Sequence, residues 1–344
     1  MAYLLGYRSA VEWLRSNRDA SLLLQYWALP MLSLEGSRAR LQRHLEEFAS
    51  LARPLHLVVA LREGRRPSAE TACHLLTSPD GTYPGIRIGR GAFCSTPAFT
   101  FLQMANVLDE ATLRFLGMEL CGCYGIGDDG KLFLRQQCCT PTELEEMARA
   151  MTGVRGRKRA GKVAPLVAGG SASPMETALF LILCATREEG GFGLPWPELN
   201  HSIPLTDAAR TLWDDDFITP DLLWEAAKLI LEYDSDLHHT ASHRIARDAS
   251  RRNVFEEMGY RVVTVTAEHM RTPQELQRIA SIVARSNGTE FETPSDEQWT
   301  QMVSWQLLVR GLAENPDWLY GPAQATPNKR TWHSRRPHKV IPPN

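Results

Sequence analysis

The 344-residue chain has no long apolar run. A membrane-spanning helix needs about 18–20 consecutive apolar residues. The longest candidate, Ala178 to Ala185, falls far short, so no helical membrane anchor is expected. Nor is there an excess of charge of either sign. The formal net charge is -2, so the chain carries no global signature of a nucleic-acid binder, and any such surface must be a local basic patch. Cysteine is sparse: seven residues, an odd number without framework spacing, which argues against a disulfide-stapled secreted domain. The first residues, MAYLLGYRSAVEWLRSNR, lack a basic region followed by an apolar stretch and a small-residue cleavage site. The expectation is a cytoplasmic protein with reduced thiols and no membrane partner. No internal repeat at a solenoid period is visible.

What is present is enough apolar sequence, 43%, for a sizeable core, and a length that suits two domains. Gly153 to Lys162 (GVRGRKRAGK) is basic and glycine-rich, and Gly169 to Ser173 (GGSAS) is small and flexible. Together they read as a linker over 153–172. The domains are therefore expected at 1–152 and 173–288, followed by a helical extension at 289–319. A tail at 320–344 holds five prolines and a basic cluster, and reads as disordered.

Before the linker, helices are expected at Tyr7 to Asn17, Leu34 to Ala52, Pro97 to Leu108 and Glu110 to Leu120. LHLVVAL (Leu55 to Leu61), Gly85 to Ile88 and Phe93 to Ser95 read as strands. Thr142 with Glu145 fits a capping box opening a helix to Met151. After the linker, Ser173-Pro174 opens a helix running to Glu188. Three strands follow, at Ser202 to Leu205, Phe217 to Trp224 and Lys228 to Asp234, the last two joined by a tight turn at 225–227. A long helix from His243 to Met258 ends at Gly259. YRVVTVT (Tyr260 to Thr266) is a strand, and helices at Pro273 to Ser286 and Asp296 to Glu314 close the series.

The feature that bears on chemistry is acidic. Asp221 sits in the middle of one strand of the expected hairpin and Glu232 near the end of the next, so the two approach across the ladder. Glu232 and Asp234 are two apart and share one face. Crowded carboxylates repel, by about 1 kcal/mol per pair at ~4 Å in water and more when partly buried. A hard divalent cation such as Mg²⁺, or Mn²⁺, reverses that cost, because it takes one or two carboxylates plus water and phosphate oxygens. It also activates water and neutralises charge at phosphorus. A chain with 40 acidic residues holds many such spacings by chance, so the pattern gains weight only from its apolar flanks, Leu222-Leu223-Trp224 and Leu229-Ile230-Leu231.

Around this pair, His238 is either a general base or water-positioning group, or part of a polar loop touching solvent. Arg247 and Arg251 lie at i, i+4 and share a helix face with reach to backbone phosphates, with Arg252 beside them. A solvated helix face is the plainer account of Arg251 alone. Glu176, in a first helical turn, either complements the helix dipole or reaches the metal as an outer ligand. Cys121, Cys123, Cys138 and Cys139 invite a zinc reading, but their spacing differs from paired CxxC, and small apolar cysteines around a glycine-rich hairpin fit better. The GIGDDG run at 125–130 lacks the Lys-Ser/Thr of a phosphate loop and reads as a turn.

The stretch ITPDLLWEAAKLILEYDSDLHHTASHRIARDASRRNVFEEMGYRVVTVT resembles a widespread bacterial domain grouped with the very-short-patch repair endonucleases in the PD-(D/E)XK superfamily. The matching residues are Asp221, Glu232, Asp234, His238-His239, Arg247-Asp248, Arg252-Asn253 and Gly259 to Val262. The resemblance covers about 115 residues. It implies an α/β fold with a restriction-endonuclease-like αβββαβ core beside an N-terminal α+β domain. It also implies metal-dependent hydrolysis of DNA, in mobile-element defence or repair. Asp221 matches the first acidic position, Glu232 the second, Glu176 the acid of the first helix, and His238 the water-activating histidine. Where many members carry Glu-x-Lys, this chain has Glu232-Tyr233-Asp234. That departure keeps open a non-catalytic DNA- or protein-binding module that retains the fold. The N-terminal half resembles the body of type IV abortive-infection antitoxin proteins. The cues are SAVEWLR, Pro54 to Val59, and Ser95-Thr96-Pro97 opening a helix that contains LQMA. The resemblance implies a protein partner or an antitoxin-like regulator, although the winged-helix segment that often precedes that body is missing.

Overall fold

The computed structural model describes residues 2–23, 25–30, 48–234 and 242–320. They form two compact units: residues up to Gly169 joined by Asp317 to Tyr320, and residues Gly170–Pro316. The class is α/β, as expected. The division falls inside the expected linker, but that linker is not flexible throughout. Arg157–Val163 is a helix whose Ala160 and Val163, three apart, are buried. The basic composition that reads as loop is the solvent side of an amphipathic turn.

The first unit is built on a six-stranded sheet. Its strands are β1 (Tyr3–Leu5), β2 (Tyr26–Pro30), β3 (Leu55–Val59), β4 (Thr71–Leu75), β5 (Thr82–Gly89) and β6 (Ala92–Ser95), in the order β2-β5-β6-β1-β3-β4. The apolar, β-branched β3 lies inside, antiparallel to β1 and parallel to β4, which suits a run buried on both faces. Helices α1 (Tyr7–Ser16), α2 (Pro97–Met104), α3 (Glu110–Leu120) and α4 (Pro141–Ala150) complete the core with the 157–163 helix, α5. Thr96 caps α2, its hydroxyl accepting from the Phe99 N–H at 3.4 Å. The capping box of α4 is Thr140 with Glu143, two residues earlier than the sequence pattern indicates. Pro141 has no N–H to lose and its ring fixes a helical φ, so it takes the first helical position and Thr140 becomes the cap. GIGDDG forms the turn of the hairpin between β7 (Tyr124–Ile126) and β8 (Leu132–Leu134). Most of the expected helix from Leu34 to Ala52 lies outside the described residues, and 48–50 form a turn.

Two histidines of neighbouring strands, His56 and His74, share a hydrogen bond of 2.9 Å between ring nitrogens. Burial is the main cause that lowers each pKa, from 6.5 to about 4; His74 and Arg8 also act on His56, and Arg65 on His74. The unfolded chain therefore binds more protons than the folded one between pH 6.5 and 4. Stability is complete above that window and falls as the pH drops through it, by less than about 1.4 kcal/mol per pH unit per ring, because both rings keep some solvent. Urea midpoints taken at pH 7 and pH 5 are expected to show the loss, and a His56→Gln/His74→Gln variant to lack it. Equal pH slopes in the two proteins would contradict this assignment.

The second unit opens with α6 (Pro174–Cys184), capped by Ser173, whose hydroxyl accepts from the Glu176 N–H at 3.1 Å. Its sheet has four strands in the order β14-β13-β12-β9: β9 (Glu198–Leu199), β12 (Leu222–Trp224), β13 (Leu229–Asp234) and β14 (Arg261–Thr266). The first three run as an antiparallel meander, and β14 lies parallel to β13 after the crossover helix α7 (Ser242–Glu257). The expected order of helix, three strands, helix, strand is thus present, with two corrections. The first strand of the meander is Glu198–Leu199. The expected strand at 202–205 instead supplies β10 (Ile203–Pro204), which pairs with β11 (Phe217–Ile218) in a separate ribbon. The single strand expected from Phe217 to Trp224 is therefore split, with Pro220 unable to donate a ladder hydrogen bond between its halves. Ile203, Ile218, Leu223, Ile230, Val254, Phe255 and Tyr260 share one core under α7. Helices α8 (Pro273–Ser286) and α9 (Asp296–Glu314) follow, and Trp305 of α9 donates its indole N–H to the Leu181 carbonyl at 3.1 Å. The expected extension therefore packs with this unit. Among the described residues no helix is long and apolar enough to cross a membrane.

The loop after α6 folds back tightly, and a Cβ added at Gly191 would lie 2.2 Å from the Ala185 carbonyl oxygen. That neighbour is backbone and cannot rotate away. Gly191→Ala is expected to cost about 3 kcal/mol or more in chemical denaturation, the upper range for overpacking. A variant within ~0.5 kcal/mol of wild type would mean that the loop relaxes freely.

Candidate active site

The ladder register Leu222↔Leu231, extended by one residue, sets Asp221 opposite Glu232. Asp221 directly precedes β12 rather than lying in mid-strand. It is fully buried, an expensive place for a carboxylate unless its oxygens are satisfied. Asp221 Oδ2 accepts the Tyr233 N–H at 2.8 Å. The Asp221 N–H in turn donates to Glu232 Oε1 at 3.3 Å. The expected meeting of these two acids across the hairpin is realised.

A basic side chain joins them. Arg251 descends from α7 and clasps Glu232 with two hydrogen bonds, Nη2 to Oε1 at 3.0 Å and Nε to Oε2 at 3.2 Å. The same Nη2 also donates to the Thr219 carbonyl. The pair is largely shielded, with 19% and 15% of the two side chains exposed. Arg251 is thus engaged within the fold, neither on a solvated face nor turned toward phosphate, the two placements that the sequence suggests. A carboxylate beside an apolar strand needs compensation, and a bidentate guanidinium supplies it. Arg252 donates to the Thr264 hydroxyl at 2.7 Å from an exposed position. Arg247 lies on α7, but its side chain is outside the described atoms, and His238 is outside the described residues.

Glu176 is buried and held from three sides. It accepts from the Ala172 N–H at 2.8 Å, the Ser173 hydroxyl at 3.1 Å and the Asn200 amide at 2.6 Å. Asn200 adopts a left-handed backbone, φ 49°, and its N–H donates to the Asp221 carbonyl at 3.0 Å. A chain of hydrogen bonds therefore runs from the start of α6 through Asn200 to the backbone beneath the acidic pair. Asn200 was not singled out in the sequence. Its only signal is that Asn, among non-glycine residues, is enriched in this conformation.

Asp234 does not join Asp221 and Glu232 in a metal-binding cluster: among the described residues no group of three or more His, Cys, Asp or Glu is placed to hold a metal ion. Glu176 is turned onto Asn200, and Asp234 lies two residues, about 7 Å, further along β13 than Glu232. Two in-register carboxylates still match Mg²⁺ or Mn²⁺ in donor chemistry, since such ions use one or two carboxylates and complete their shell with water and phosphate. Both Glu232 oxygens are held by Arg251, so that ion pair would have to open for the carboxylate to serve as a ligand.

The cysteines behave as small apolar residues. Cys121, Cys138 and Cys139 are buried, and the Cys121 and Cys139 sulfurs lie 3.8 Å apart. Burial pushes the Cys138 thiol up to about 12, so it is a neutral thiol at pH 7.

No family model and no solved structure gives a significant match to the chain. It is similar to two proteins of Mycobacterium tuberculosis described as uncharacterized, one from strain CDC 1551 and one from strain H37Rv. Each is 29% identical over 204 residues, 58% of this chain. The match spans 65% of the length of these curated relatives.

Proposed function

We propose that residues 173–288 form a Mg²⁺- or Mn²⁺-dependent endonuclease that hydrolyses DNA phosphodiesters, in repair or in defence against mobile elements, and that it works in the cytoplasm. The observation that carries this reading is the buried Asp221 set in register with Glu232 on the central hairpin of a mixed sheet. A cation held by these two side chains would activate water and neutralise charge on the phosphorus transition state. The protein's own part is to keep Asp221 buried and hydrogen-bonded by Tyr233. Asn200 fixes the backbone beneath it, and α7 supplies basic groups for the DNA backbone. The N-terminal unit is assigned to a protein partner.

A second reading has its own support. Arg251 already neutralises Glu232, and position 234 holds Asp where a lysine would orient water. Both features suit a DNA- or protein-binding module that keeps the fold without cutting. Calorimetric titration of the full chain with Mn²⁺, alongside incubation with supercoiled plasmid, separates the two. Nuclease function requires metal binding and nicked or linear product. Retained DNA binding with neither would establish the module.

A further inference from the structure

The first unit holds a cavity of about 390 Å³ unrelated to the acidic hairpin. Its lining includes Tyr7, Cys73, His74, Asn106, Arg65 and Arg155, and it contains no Asp or Glu. The volume is at the lower end of pockets that hold small organic molecules, and too small for a polymer.

Several features show a built floor. Tyr7 has φ 51°, a left-handed backbone that a bulky side chain rarely adopts and that persists only where the surroundings enforce it. Here the enforcement is a 2.7 Å hydrogen bond from its buried N–H to Gln103 Oε1. The conformation sets the Tyr7 ring against His74, with centroids 3.9 Å apart and planes 24° from parallel. His74 in turn stacks on His56 at 4.9 Å and shares its hydrogen bond. The result is three layered rings. With both pKa values near 4, the imidazoles are neutral at pH 7 and offer polarity without charge.

The mouth is cationic. Arg65 follows β4's neighbour β3, and Arg155 sits in the turn between α4 and α5. Neither guanidinium has an ion pair or side-chain hydrogen bond among the described residues. Arg155 is held near the cavity because Gly156, φ 93°, lets the turn close on the end of α2. A Cβ there would lie 3.0 Å from both the Asn106 nitrogen and the Leu102 carbonyl oxygen. Two uncommitted guanidiniums over an aromatic floor, with no carboxylate in the lining, match a ligand that carries a phosphate on a small ring-bearing body.

We propose that this cavity binds a small organic phosphate of mononucleotide size, with its phosphate between Arg65 and Arg155 and its body toward the Tyr7–His74 stack. The proposal does not depend on nuclease activity in the other unit. The test is isothermal titration of the full chain with AMP, inorganic pyrophosphate, adenosine and a 5′-phosphorylated oligonucleotide, in wild type and in an Arg65→Ala/Arg155→Ala variant. Both arginines are exposed, so the ligand-free melting temperature should be unchanged. AMP and pyrophosphate are expected to bind, to lose at least about tenfold in affinity in the variant, and to bind better than adenosine. Four results would overturn the proposal: no binding of either phosphate probe, binding indifferent to both arginines, adenosine binding as well as AMP, or binding of the oligonucleotide alone.

Discussion

On the proposed nuclease reading, replacing Asp221 with Asn is expected to reduce Mg²⁺-dependent plasmid cleavage by on the order of 100-fold or more. Loss of a ligand to a catalytic cation removes several kcal/mol of transition-state stabilisation, and each ~1.4 kcal/mol is a factor of ten. The substitution suits the question because it is isosteric. Asp221 is fully buried, and one oxygen accepts the Tyr233 N–H at 2.8 Å. An asparagine carbonyl can keep that bond while losing the negative charge. The protein should therefore stay folded, which near-identical urea midpoints would verify. Cleavage is read as conversion of supercoiled to nicked plasmid against time. Activity in Asp221→Asn within twofold of wild type, with the fold intact, would remove the acidic hairpin from the mechanism. Mn²⁺ titration of the same variant adds a readout independent of turnover, since weakened binding follows from the lost charge alone.

Glu119→Ala is expected to destabilise the first unit by about 3–5 kcal/mol, the cost of leaving a buried charge without its partner. Glu119 of α3 takes Arg15 of α1 in a bidentate pair, Nε to Oε1 at 2.5 Å and Nη2 to Oε2 at 2.9 Å. Both residues are buried, at 2% and 7% exposure. The Arg15 guanidinium also lies 4.8 Å from the centre of the Trp318 ring, so it is enclosed rather than free to swing into water. A paired replacement, Arg15→Met/Glu119→Leu, should recover much of the loss, because a well-packed apolar pair avoids the desolvation of both ions. Denaturant unfolding of the three proteins checks this. A single-variant cost under ~1 kcal/mol would show the pair behaving like an exposed one.

Long, patterned elements were legible in the sequence. YRVVTVT forms the expected strand almost to the residue, as Arg261–Thr266, and Pro273–Ser286 and Asp296–Glu314 carry the expected bounds. Elements of two or three residues were not legible, because periodicity needs at least four residues to show. Glu198–Leu199 and Tyr3–Leu5 belong to sheets only through partners far away in sequence. The edge strand Tyr26–Pro30 is mostly solvent-facing and shows no apolar alternation. The candidate site divides in the same way. The pairing of Asp221 with Glu232 could be read because one short turn fixes the register. The clasp by Arg251 could not, since its partner lies 19 residues away and the geometry depends on how α7 crosses the sheet. Asn200 was hidden for the same reason, its two partners lying on α6 and just before β12.

The Asn200 tie has a consequence for motion. One side chain and one N–H connect the first turn of α6 to the backbone at Asp221, and the Tyr233 N–H closes onto the same carboxylate. These groups belong to one hydrogen-bonded corner, so their opening is expected to be coupled. The amides of Asn200 and Tyr233 should therefore exchange with solvent deuterium at a common rate. Water would then reach Asp221 only as often as that whole corner breathes.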